Sequence, residues 1–70
     1  MKSNLRIVKH NYSYSIRRVF YDDKGHAVGV SSREEVLNDD SLHDLFERCA
    51  EIDQAFKNKP LEYDKLKELP

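Results

Sequence analysis

The strongest constraint on this chain is the stretch from Ser41 to Phe56, SLHDLFERCAEIDQAF. Leu42, Leu45, Phe46, Cys49, Ile52 and Phe56 recur every three or four residues, the spacing that lines up one face of an α-helix. His43, Glu47, Arg48, Glu51 and Gln54 fall on the wet side. Ser41 and Asp44 form a capping-box pattern with Asp in place of Glu, and Asp40 is an equally good cap. Asp39 and Asp40 place negative charge at the positive end of the helix dipole. At the other end Lys57 suits the last turn, Asn58 suits a left-handed cap, and Pro60 stops the helix. The spacing predicts a helix over 41–57. Its apolar stripe then needs a surface to bury against.

The residues before it supply that surface as strands. Leu5-Arg6-Ile7-Val8-Lys9-His10 is a short β-prone run whose cations discourage edge-to-edge pairing, giving a strand over 5–10. Asn11-Tyr12-Ser13 is a turn without glycine, so its type is open. Tyr14–Tyr21, YSIRRVFY, is the richest run in aromatic and β-branched residues and gives a second strand over 14–21. Asp22-Asp23-Lys24-Gly25 is the clearest turn, with Gly25 supplying the positive φ of a bulged three-residue loop. A third strand follows over 26–32. That loop pairs Tyr21 with Ala27, Phe20 with Val28, Val19 with Gly29 and Arg18 with Val30. Ile16, Phe20, Val28 and Val30 then share one face, while Val19, Tyr21 and Ala27 share the other. Arg18 falls among the first set, where a charge is awkward, and a bulge near Arg17-Arg18 would flip the register. Val36 and Leu37 are expected to tuck beneath the start of the helix.

Residues 61–70 are ambiguous. Tyr63, Leu66 and Leu69 have the spacing of one or two helical turns, yet Leu61-Glu62-Tyr63 can equally run extended. Fraying after Lys65 is the expectation for such a tail. The architecture expected is α+β: one domain spanning residues 1–70, a three-stranded antiparallel meander packed on one C-terminal helix, with a short C-terminal extension.

Size bears on what holds such a domain together. Seventy residues bury a smaller share of their surface than larger domains do. Small scaffolds lean on disulfides, a metal or self-association. The lone Cys49 excludes an intramolecular disulfide, and no Cys/His spacing suggests zinc. Self-association is left. The N-terminus lacks an apolar signal core and no run reaches membrane-spanning length, so the expected compartment is the cytoplasm.

The residues Tyr14-Ser15-Ile16, Phe20-Tyr21-Asp22-Asp23-Lys24-Gly25, and the amphipathic helix followed by Lys59-Pro60-Leu61-Glu62 resemble a family of short, uncharacterised bacterial proteins. Similar sequences often carry a tryptophan just after the second strand of the hairpin, and Val30-Ser31-Ser32 departs from that. The resemblance implies the order strand, turn, strand, helix. It implies no activity.

Candidate sites are few. Cys49 lies on the apolar stripe, where a free cysteine behaves as a small core residue, and no histidine is placed to activate it as a nucleophile. His43 and Glu47, one turn apart, can form a weak pair. Asp22-Asp23 and Asp39-Asp40 are explained by the turn and the helix cap. Two glycines make no phosphate-binding loop. No catalytic, cofactor or metal residues are assigned, and the chain is not expected to be an enzyme.

Two surfaces remain. One helix covers only one face of a three-stranded sheet, so Val19, Tyr21 and Ala27 are left as a patch for a protein partner, a second copy first among the candidates. The other surface is the basic, aromatic set Arg6, Lys9, Tyr12, Tyr14, Arg17 and Arg18, whose rings and cations suit single-stranded nucleic acid. Residues 1–35 hold seven Lys/Arg against four Asp/Glu, and residues 36–70 hold five against nine. A pI near 6.3 works against nucleic acid. The expected function is a small cytoplasmic protein-interaction module that self-associates through the sheet face away from the helix. The alternative is a nucleic-acid-binding accessory protein using the basic strands.

Overall fold

The structure, a computed structural model, describes residues 2–69. The elements in order are β1 (Lys2–His10), β2 (Ser13–Tyr21), β3 (Ala27–Ser31), α1 (Leu42–Ala55), β4 (Leu61–Glu62), a 3₁₀ turn (Tyr63–Lys65) and β5 (Lys67–Leu69). The class is α+β. The sheet, however, has five strands in the order β4-β1-β2-β3-β5, not the three expected. The expected antiparallel meander is its centre, and the C-terminal extension adds a short parallel strand at each edge.

β1 and β2 pair along their whole length, Lys2 opposite Tyr21 and His10 opposite Ser13. The two-residue connection works without glycine because Asn11 takes a left-handed φ of 58°. Asparagine tolerates that region better than most residues. The second turn follows the sequence reading. Gly25 has φ 83°, the Gly25 amide donates to the Asp22 carbonyl (3.0 Å), and the Asp22 carboxylate accepts from the Lys24 and His26 amides (3.0 and 2.9 Å).

The register beyond that turn departs from the expectation. Tyr21 does face Ala27, but Phe20 then faces Gly29 and Val19 faces Val30, so Val28 is the extra residue of a bulge. The irregularity lies beside the turn rather than near Arg17-Arg18. It moves Val30 onto the face of Val19 and leaves Val28 exposed. Arg18 stays on the helix side. Its charge is met by Glu51 of α1 at 3.0 Å, which removes the difficulty that a cation at that position had posed.

Two small cores lie on opposite sides of the sheet. On one side Leu5 and Ile7 of β1 meet Ala55, with Ile16 and Ile52 packed alongside. On the other, Val8, Val19 and Val30 meet Tyr63, with Tyr21, Ala27, Leu61 and Leu66 around them. The tail expected to fray therefore crosses the far face of the sheet. β4 runs parallel to β1 (Val8 opposite Leu61) and β5 runs parallel to β3 (Val30 opposite Glu68). The Ser32 amide donates to the Leu69 carbonyl at 2.8 Å, tying down the end. Pro70 lies outside the described residues.

Helix α1 begins as expected, with the Ser41 hydroxyl accepting from the Asp44 amide (3.1 Å). At its C-terminus Asn58 does not take the left-handed cap. Its amide side chain donates to the Gln54 carbonyl instead (3.2 Å). The larger correction concerns which side of the helix docks. Ala55 is buried and Ile52 half-buried against β1, while Arg48 and Glu51 form ion pairs to the loop and to β2. These four residues share one face. Of the expected core stripe, Ile52 docks and Leu45 is half-buried, whereas Leu42, Phe46, Cys49 and Phe56 lie about a third of a turn from the docked face at about 3.6 residues per turn. They are exposed. Val36 and Leu37 are exposed too, not tucked beneath the helix.

Ion pairs and a small side chain explain that rotation. Arg48 grips Asp39 with two hydrogen bonds (2.8 and 3.1 Å) and also pairs with Glu35, so the loop between β3 and α1 is drawn to the Arg48 side. Ala55 lets the backbone approach Leu5 and Ile7 closely, where a larger residue would hold the helix off.

A candidate interaction surface

The face proposed from sequence for partner binding is already occupied. Val19 is 0% exposed, and Tyr21 and Ala27 are half-buried against the cluster that Tyr63 closes. The expectation missed this because it treated residues 61–69 as an appendage. The Tyr63 ring stacks on His10 (centroids 4.0 Å apart, planes 16° from parallel) and lies 4.9 Å from the Arg17 guanidinium carbon. Its hydroxyl donates to the Glu68 carboxylate at 2.6 Å. That hydrogen bond, with burial and the Glu68 charge, raises the phenol's pKa above its ordinary 10.0. The tail is held by aromatic packing and charge as well as by strand pairing.

The basic, aromatic set is divided by the sheet. Arg6 and Arg17 point to the tail side. Arg17 is buried: it donates to the Ser15 hydroxyl (2.9 Å) and to the Ser31 and Ser32 carbonyls (3.1 and 2.9 Å), with Glu34 3.6 Å away. Arg6 donates to the Tyr21 hydroxyl (3.0 Å) and the Lys59 carbonyl (2.8 Å). Lys9, Tyr14 and Arg18 take the helix side by alternation, where Lys9 lies 6.0 Å over the Tyr14 ring. Tyr12 is fully exposed at the turn between β1 and β2. The sheet divides these residues between its two faces, and Arg6 and Arg17 donate to the protein's own carbonyls.

The acidic pairs serve local structure as expected for one of them. Asp22 caps its turn, and the His26 amide foremost, with that of Lys24, lowers its pKa from the ordinary 3.8. In the second pair Asp39 is committed to Arg48, whereas the Ser41 hydroxyl, not Asp40, caps the helix. His43 and Glu47 approach to 3.6 Å as their spacing suggested. Among the described residues no group of three or more His, Cys, Asp or Glu is placed to hold a metal ion. No helix among them is long and apolar enough to cross a membrane, which does not bear on β-barrels.

Four of the six helix residues expected in the core are exposed. Leu42 is 83% exposed, Phe46 70% and Phe56 67%, and Cys49 between them is exposed as well. Phe56 also lines a groove of about 330 Å³ together with Ile7, Tyr14, Ser15, Ile16, Glu34 and Glu35. A larger recess of about 650 Å³ lies on the other flank of α1, but its cations Arg18 and Arg48 are already paired with Glu51 and Asp39. The apolar stripe was legible as a stripe. Only its direction was missed.

The chain matches no protein-family model, no curated protein and no solved structure.

Proposed function

We propose that the protein is a small cytoplasmic protein-interaction module that self-associates through the exposed apolar face of α1, and not through the sheet face first considered. The observation that carries this reading is the exposure of Leu42, Phe46 and Phe56 along one helix face. Cys49 on the same helix face is exposed as well, as are Val36 and Leu37 on the preceding loop. Exposed apolar side chains gathered on one face mark an interaction site. Small domains without a disulfide commonly gain stability from self-association. An exposed free thiol suits a reducing compartment. Relation to the short bacterial proteins described above is proposed on the shared residues alone.

Light scattering across concentration tests the reading. The wild-type chain is expected to pass from monomer to dimer in the micromolar range, and Phe46→Glu is expected to stay monomeric with an unchanged circular dichroism spectrum. A wild-type chain that is strictly monomeric at millimolar concentration overturns it.

A further inference from the structure

We infer that the second copy docks with its α1 antiparallel to the first, so that the Cys49 residues of the two chains face each other near the two-fold axis. This rests on the self-association proposed above and specifies its geometry.

The two ends of the exposed stripe are symmetric about Cys49. Leu42 lies seven residues before it and Phe56, the C-cap, seven after, so the three stay within about 40° of one another around the helix axis. An isologous interface requires a patch that complements itself after a half-turn. Reversing the helix about Cys49 sets Leu42 against the partner's Phe56, and by symmetry does so at both ends. Cysteine at the crossing point is small enough for close approach, while the large side chains sit toward the ends. A parallel pair would instead set each Phe56 against its own copy and each Leu42 against its own copy.

Charge selects the same direction. Acids precede the helix, with Asp40 exposed and not engaged as the cap, and cations follow it, with Lys57 and Lys59 exposed. Lys57 has only a long contact to Asp53, 3.7 Å on its own helix. Antiparallel docking brings Asp40 toward the partner's Lys57, and by symmetry does so twice. It also opposes the two helix dipoles, whose ends carry about half a charge each. Parallel docking would put Asp40 beside Asp40 and Lys57 beside Lys57. Complementary charges at the edge of an apolar patch fix orientation more than they add affinity.

Two measurements on the full chain decide it. A short bismaleimide is expected to cross-link Cys49 to Cys49 in high yield at dimer-forming concentrations, and not in Phe46→Glu. Asp40→Lys is expected to weaken the dimer about three- to tenfold, the range for two edge ion pairs. Asp40→Lys combined with Lys57→Asp is expected to restore it. A dimer that neither cross-links nor recovers in the double variant overturns the antiparallel geometry and leaves self-association standing. Absence of any wild-type dimer overturns both.

Discussion

Two aromatic residues exchange the roles that their sequence positions suggest, and the exchange has a measurable consequence. Phe46 sits in the middle of the best helix in the chain, and Tyr63 sits in a tail expected to fray. Yet Tyr63 is 8% exposed, on Val8, Val19 and Val30, while Phe46 is 70% exposed. Replacing a buried aromatic by alanine costs about 3–5 kcal/mol, because the transferred area is lost and the cavity relaxes only in part. A domain of this length has about 4–10 kcal/mol in total. Tyr63→Ala is therefore expected to remove at least about a third of the stability and up to all of it. With a urea slope near 1 kcal/mol/M for so small a protein, the midpoint should fall by roughly 3–5 M. Phe46→Ala should change it by no more than about 0.5 kcal/mol when both are measured at concentrations too low for dimerisation. Urea titration followed by far-ultraviolet circular dichroism reads both variants. A loss below about 1 kcal/mol for Tyr63→Ala, or a larger loss for Phe46→Ala than for Tyr63→Ala, would refute the argument that the tail closes the second core.

Two further expectations follow from the same geometry. The Tyr63 phenol has a raised pKa in the folded protein, so the native state holds this proton more tightly than the unfolded chain does; its contribution is complete below about pH 10.0 and is lost as pH rises through the folded value. Tyr63→Phe should accordingly show a shallower fall in stability than wild type above pH 10, and identical alkaline slopes would count against the Glu68 hydrogen bond. Gly25→Ala meets no atom within 4 Å, so its cost is that of the left-handed backbone alone, about 1–2 kcal/mol. A neutral result in thermal unfolding would mean that the turn does not hold φ near 83° in solution.

Features set by contacts between near neighbours in the chain were legible. The Asp22–Gly25 turn closes through hydrogen bonds spanning no more than four residues, and the pattern of Asp and Gly specifies them directly. Ser41 caps the helix for the same reason, reaching only to Asp44. The bulge at Val28 was not legible: the awkward charge of Arg18 points to an irregularity near Arg17-Arg18, and the register shifts between Phe20 and Tyr21 instead. Its position depends on satisfying both faces of the sheet at once, and the face that draws Val30 inward is built by Tyr63, thirty-three residues later.

The candidate surface failed in the sequence reading for a related reason. Helical spacing says which residues share a side of α1, but not which side meets the sheet. That was decided by Arg48 binding Asp39 and Glu35, by Glu51 reaching Arg18, and by the small Ala55 allowing approach to β1. Likewise Leu61, Tyr63 and Leu66 carry no strand or helix period strong enough to place them. They gain their places only by pairing with β1 and β3 and by covering valines that would otherwise face water. The sequence by itself determined the α+β class, the three central strands, the second turn and the start of the helix, because local hydrogen bonds and side-chain alternation specify those. The tertiary structure alone decided which apolar surfaces are closed and which stay open. That outcome depends on competition among distant segments for the same two faces of one sheet.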